Sequence, residues 1–261
     1  MRRGYVDTPG GQLHYREAGE GPPLLLLHMT ASSSVMYERS LPYLAERFQA
    51  IALDTPGFGL SDPLPEEPEP DIPGYAGAVS AFLDARGIEQ VNLVGFHTGA
   101  SIGLELAVAA PARVSRLVLG AILAARDDEE RRVWSEKILR SWELDGRGEF
   151  VQEILWWLPH YIRESDGDAY LSELIAGLQA GPEYLLAPSA VIAYDAFAAL
   201  SHLEHETLFI SPVQDNLIEE TKQAFASAPE GSSRYEEMPG DDGAIYEYPA
   251  EFAAAVLEFL G

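Results

Sequence analysis

Val91-Asn92-Leu93-Val94-Gly95-Phe96-His97-Thr98-Gly99-Ala100-Ser101 is the stretch that decides the fold. An apolar run, Val91 to Val94, enters a sharp turn and continues as an apolar helical pattern to Pro111. A strand that turns directly into a helix forces the central residue of the turn into a strained backbone conformation. Small residues two positions to either side are then needed for strand and helix to pass closely. Gly95 and Gly99 stand at those two positions, and His97 is the central residue.

Outward from this turn, short apolar runs alternate with helical patterns up to about residue 120, the signature of strand-helix-strand units around a mostly parallel sheet covered on both faces. Leu24-Leu25-Leu26-Leu27 has no polar face, as a central buried strand requires. Gly11 to Gly19 reads as a strand after the Pro9-Gly10-Gly11 turn, and Ile51-Ala52-Leu53 as another. The periodicity predicts a helix from Met36 to Phe48, a surface loop rich in proline and acid from Pro63 to Pro73, and a helix from Tyr75 to Arg86 ending at Gly87. From Arg126 to Leu200 the pattern is helical and contains all four tryptophans, Trp134, Trp142, Trp156 and Trp157. Strand patterns return at Thr207 to Ile210 and Arg234 to Met238, and a last helix spans Pro249 to Leu260. Residues 1–125 and 199–261 are therefore expected to form one α/β core, with 126–198 inserted as a helical cap.

The chain has 261 residues, 47% of them hydrophobic, enough for one large domain with an insertion. Forty-two acidic against seventeen basic residues give a net charge of -25, which repels nucleic acid phosphates and anionic membrane. The absence of cysteine excludes disulfides, thiolate nucleophiles and cysteine-ligated metals. Met1-Arg2-Arg3-Gly4-Tyr5 reaches Asp7 without an apolar core, so no signal peptide is expected, and the default location is the cytoplasm. The expected partner is a small-molecule substrate, with nucleic acid and membrane excluded and a homodimer left open.

Several separate motifs carry a resemblance that spans nearly the whole chain. His28-Met29-Thr30-Ala31-Ser32-Ser33-Ser34 follows an apolar strand; Asp54-Thr55-Pro56-Gly57-Phe58-Gly59-Leu60-Ser61-Asp62 follows the next. The elbow at His97, the insertion after Arg116 to Gly120, the turn Gln214-Asp215-Asn216 and the helix start Tyr246 to Phe252 complete the series in order and spacing. The sequence thus resembles the α/β-hydrolase superfamily. That resemblance implies a mostly parallel, twisted central sheet of about eight strands, helices on both faces and a helical cap.

The resemblance also defines three departures. His97 stands where the family carries its nucleophilic serine. Counting back from Pro249, the family's catalytic histidine position falls at Asp242, and no histidine follows His205. Met29 replaces the glycine of the usual His-Gly pair in the oxyanion loop, and only the acid position, Asp215, is retained. A histidine at a helix N-terminus is expected to stay neutral and basic near pH 7, because the helix dipole disfavours imidazolium. Asp215 or Asp242 would orient it, with Asp241 able to trade places with Asp242. The backbone N–H groups of Thr98 and Thr30, beside His28, are the expected oxyanion donors.

Ser101 is a substitute hydroxyl expected to pack inside, and Ser34 and Thr30 read as loop hydrogen-bonders. In the cap, Trp157 and His160 of Trp156-Trp157-Leu158-Pro159-His160-Tyr161 are candidates to face the substrate. No H-x-x-x-H or comparable ligand spacing and no glycine-rich phosphate loop occurs, so neither metal nor cofactor is expected. The functional expectation is hydrolysis or other general-base chemistry on a small apolar ester, lactone or ketone-like substrate, with His97 as general base or nucleophile and water as the second substrate. The alternatives are a cofactor-free lyase, isomerase or cyclase, and a catalytically inactive ligand-binding protein.

Overall fold

The computed structural model describes residues 1–139, 148, 151–152, 154–155, 167–229 and 231–261. Eight strands form one sheet: β1 (Arg2–Thr8), β2 (Gly11–Ala18), β3 (Pro23–Leu27), β4 (Gln49–Leu53), β5 (Val91–Phe96), β6 (Val114–Gly120), β7 (Thr207–Pro212) and β8 (Ser233–Met238). Their spatial order is β1-β2-β4-β3-β5-β6-β7-β8. β1, β2 and β4 pair antiparallel, and every pair from β4 to β8 is parallel. The inner parallel strands β3 to β7 are apolar for the reason anticipated, since helices cover both faces and Leu24 to Leu27 have no accessible surface at all, while the edge strand β8 is largely polar.

Strand order reverses between β3 and β5, which places their carboxyl ends side by side. The register pairs Leu27 with Gly95, so the loop after β3 and the turn after β5 leave the sheet at the same level. A crevice at such a switch point is where open α/β sheets bind ligands. The loops after β7 and β8 open on the same edge, because Val213 and Gln214 hydrogen-bond Met238 and Gly240.

Local differences from the sequence expectation have identifiable causes. β1 carries no strand signal in the sequence because its pattern is mostly polar. It is an edge strand, and Arg2, Arg3 and Asp7 discourage further pairing. The helix expected over Met36 to Phe48 is split into a 3₁₀ turn, Ser34–Tyr37, and a short helix, Leu41–Leu44. Pro42 has no N–H to continue a ladder from Glu38 and instead starts the second piece. The next helix begins earlier than expected, at Ile72, because the Asp71 side chain accepts from the Gly74 N–H at 2.8 Å and Pro73 favours the first turn.

Between β6 and β7 the described residues hold helices Asp128–Ile138, Gly167–Ala180, Leu186–Ala193 and Ala196–Leu200, with a 3₁₀ turn Gly181–Leu185. Trp134 is buried there, whereas Trp142, Trp156, Trp157 and His160 lie outside the described residues. The closing helix runs Pro249–Leu260. Among the described residues no helix is long and apolar enough to cross a membrane.

Candidate active site

The elbow is held by backbone contacts that admit no side chain at either glycine. A Cβ on Gly95 would lie 2.1 Å from the Gly99 carbonyl oxygen, and one on Gly99 would lie 2.2 Å from that of Leu27. His97, between them, has φ 49° and ψ -112°, and its N–H donates to the Gly120 carbonyl at 2.9 Å. This left-handed backbone is costly for a residue with a Cβ and persists because the surrounding strand and helix fix it. It aims the imidazole away from the sheet, stacked on Phe96 with ring centroids 5.1 Å apart.

His97 Nε2 lies 3.0 Å from Asp215 Oδ2. A carboxylate oxygen can only accept, so Nε2 carries the proton, and Nδ1 is left to gain or lose the second one. Asp215 is fixed in turn by the Leu217 N–H, which donates to Oδ1 at 2.7 Å. Asp242 accepts from the Asn216 backbone N–H at 3.1 Å and from Asn216 Nδ2 at 2.8 Å. Asp241 turns the other way and accepts the Gly243 N–H at 3.0 Å. Of the neighbouring pair, Asp242 is thus the one beside His97, while Asp215 makes the direct hydrogen bond.

The electrostatics differ from the sequence expectation. Burial pulls the His97 pKa down, but the charge and hydrogen bond of Asp215, followed by the charge of Asp242, together raise it above the ordinary imidazole value. The helix dipole alone would lower it; the hydrogen-bonded Asp215 and the Asp242 carboxylate, with ligand atoms within 4.8 Å, oppose that partial charge. Asp242 is pushed up to about 6, first by burial and then by the charge of Asp215.

A cavity of about 70 Å³ opens in front of the ring, lined by Thr30, His97, Thr98, Leu123, Ile138, Tyr184, Pro188, Val191 and Leu217. Thr98 is the first residue of the helix after the elbow, so its N–H has no intrahelical acceptor. Its hydroxyl and that of Thr30 lie 2.8 Å apart, joining the β3 loop to the elbow.

His28 is not among the cavity residues. Its Nδ1 donates to the Met29 carbonyl at 2.8 Å, and its Nε2 faces the Thr55 N–H at 3.0 Å and the Thr55 hydroxyl at 2.9 Å. Burial lowers its pKa, and the ring acts as a strut between the loops after β3 and β4. Ser101 is fully buried on the inner side of its helix, and Ser34 accepts from Arg16 Nε at 3.0 Å.

The motif beginning at Asp54 supports this loop from below. Asp54 accepts from the Ser34 N–H at 2.6 Å, the Leu60 N–H at 2.9 Å and the buried His14 Nδ1 at 2.8 Å. Gly59 is required there, since a Cβ would meet Asp54 Oδ2 at 2.1 Å.

Sequence reasoning did not find Asn216 as an orienting residue, nor Leu123, Ile138, Tyr184, Pro188, Val191 and Leu217 as the cavity wall. Only the last of these adjoins a recognisable motif. No metal was expected, because ligand spacing was sought within single segments. His97, Asp215 and Asp242, from three separate loops, each bring one potential ligand atom to within 4.8 Å of the others.

Comparison with known proteins agrees with the fold. The family described as alpha/beta hydrolase fold matches residues 22–148. Haloalkane dehalogenase 2 of Mycobacterium tuberculosis is 34% identical over 116 residues, 44% of this chain and 40% of that protein. The 2-hydroxy-6-oxononadienedioate/2-hydroxy-6-oxononatrienedioate hydrolase 2 of Pseudomonas putida is 35% identical over 125 residues, 46% of this chain and 42% of that protein. The chain therefore matches about two fifths of the length of these curated relatives.

Among solved structures, a hydrolase from Pseudomonas aeruginosa PA01 is similar with a TM-score of 0.84 and 24% identity, covering 100% of this chain and 98% of the other. The enol-lactonase from Burkholderia xenovorans LB400 is similar with a TM-score of 0.83 and 21% identity, covering 98% and 99%. The chain has the α/β-hydrolase fold.

Proposed function

We propose that this chain is a hydrolase-type enzyme in which His97 stands at the nucleophile position of the fold and works, with Asp215, as a general base on a small apolar ester, lactone or ketone-like substrate. The observation that carries this reading is the 3.0 Å contact between His97 Nε2 and Asp215 on a strained elbow facing an apolar cavity. Asp215 holds the Nε2–H and so fixes the ring with Nδ1 as the basic nitrogen. Nδ1 takes a proton from water, whose oxygen adds to the substrate carbonyl carbon. The developing oxyanion receives hydrogen bonds from the backbone N–H groups of Thr98 and Thr30. On collapse the C–O bond to the leaving alkoxide breaks, and the proton on Nδ1 passes to that alkoxide, which restores the neutral ring.

Leu123, Ile138, Pro188, Val191 and Leu217 make most of the wall in front of His97 apolar, which suits a small apolar acyl group. The names of similar proteins, an enol-lactonase and a dienedioate hydrolase, support a carbonyl substrate and hydrolytic chemistry. The same base and oxyanion donors would equally serve proton removal beside a carbonyl, as in a lyase, isomerase or cyclase.

The second reading, a ligand-binding protein without turnover, is favoured by the small cavity and by the histidine standing at the serine position. A time course of the purified protein and its His97→Ala variant against short esters, lactones and enolisable ketones, followed by mass spectrometry, separates these readings. Substrate loss with the parent and none with the variant is the expected result. Silence from both across the panel would overturn the enzymatic reading in favour of ligand binding.

A further inference from the structure

Glu173 lies on the helix Gly167–Ala180, within the insertion between β6 and β7, yet its side chain is buried against the core domain. Its Oε1 accepts two hydrogen bonds, from Ser32 Oγ at 2.6 Å and from Tyr246 OH at 2.5 Å. These donors come from different parts of the site. Ser32 sits two residues after Thr30 in the loop following β3, and its N–H closes that loop onto the Met29 carbonyl at 2.9 Å. Tyr246 follows Asp242 by four residues, in the short helix Ala244–Glu247. The helix bearing Glu173 also packs on the 3₁₀ turn Ser34–Tyr37 that ends the β3 loop. One carboxylate oxygen thus ties together the insertion, the loop of the oxyanion donor and the segment that carries Asp242.

Placing a carboxylate at such a point needs a reason, because burial raises the cost of its charge and an alanine or leucine would fill an apolar interface more favourably. Burial keeps the Glu173 pKa above the ordinary carboxylate value, with the two hydroxyl bonds opposing that shift. What a carboxyl oxygen provides and an apolar side chain does not is a directional acceptor for two hydroxyl groups on separate elements. A group retained for geometry rather than stability is expected where the position of the bonded partners matters.

We infer that Glu173 is a positioning residue that couples docking of the helix Gly167–Ala180 to assembly of the oxyanion site, by holding Ser32 and through it the loop bearing Thr30. This inference rests on the reading of the His97 site as an enzyme's, but the coupling is measurable without turnover. When the helix is seated, Oε1 bonds Ser32 and the β3 loop is fixed. When it lifts, Ser32 Oγ keeps only its 3.4 Å contact with the neighbouring Ser33 carbonyl, and the loop loses its tie to the insertion. Substrate entry past the insertion and formation of the oxyanion site are thereby linked events. Glutamine presents the same Oε1 acceptor to both hydroxyl groups, so Glu173→Gln preserves the coupling, whereas Glu173→Ala breaks it.

Hydrogen exchange of the full-length protein by mass spectrometry tests the coupling directly. Exchange of the peptide spanning residues 28–36 is expected to speed up at least about tenfold in Glu173→Ala and to remain at the parental rate in Glu173→Gln, with β5 and β6 protected equally in all three. In parallel, hydrolysis of p-nitrophenyl acetate is expected to show a kcat lowered about tenfold or more in Glu173→Ala with KM little changed, and recovery in Glu173→Gln. Unchanged exchange over 28–36 in Glu173→Ala would overturn the inference, as would equal exchange increases in the alanine and glutamine variants. A parent without turnover would remove the enzymatic reading while leaving the exchange result to decide the coupling.

Discussion

His97 holds its second proton more tightly than a free imidazole does, because two aspartates face it from the loops after β7 and β8. As a base the ring must be neutral, so turnover should rise as pH increases through this elevated pKa and be lost below it. Removing the Asp242 charge in Asp242→Asn should lower the His97 pKa and move the rising limb of the pH–rate profile to lower pH. A limb that stays in place would show that Asp242 does not act on the ring.

Asp242 also links the site to stability. Its pKa is about 6 in the folded protein against 3.8 for a free carboxyl, so the folded state prefers the protonated form. Ionisation costs nothing below about pH 3.8 and costs most above about pH 6. Between these limits the parent should lose up to about 3 kcal/mol relative to Asp242→Asn. Urea unfolding of both proteins at pH 4 and pH 7 measures this change, and a constant difference would contradict it.

At the scale of elements, the elbow works because β5, the helix after it and the end of β3 pass with only backbone between them. Gly99→Ala would drive a methyl group into the Leu27 carbonyl, which is anchored within the central sheet and cannot yield. The expected loss is about 3 kcal/mol or more in chemical unfolding, with part of the population failing to fold. A variant of parental stability would mean that the contact relaxes more easily than its geometry implies.

The legible part of the sequence follows from the same locality. Gly95, His97 and Gly99 declare the turn because its demands fall within five residues, and Leu24 to Leu27 declare a doubly buried strand without help from distant partners. The split of the expected Met36–Phe48 helix was signalled by Pro42 but masked by apolar periodicity. The edge strand β1 has too few apolar residues to show itself. Asp215 and Asp242 were found through motif order, yet their effect on His97 depends on how β5, β7 and β8 align. Glu173 falls on the buried stripe with Ala176 and Ala180, a local hint of an unusual carboxylate, but its partners lie 141 and 73 residues away along the chain.

For the molecule as a whole, a net charge of -25 on 261 residues makes self-repulsion a standing cost of the folded state. Salt should screen it, so the thermal midpoint is expected to rise by about 3 °C or more between 0.02 and 0.5 M NaCl. An unchanged or lower midpoint would mean that ion pairs such as Arg86 with Glu17 matter more than the net field.

The proposed chemistry gives the proton transfer to one imidazole on the elbow, oriented by Asp215. Its most direct test is an NMR titration of the His97 ring beside the pH–rate profile for the best substrate of the panel. Both should report one apparent pKa, above 6.5, with the proton at Nε2 and the rate absent in His97→Gln. A rate that persists in that variant, or a profile that ignores the titration of His97, would show that His97 is not the base.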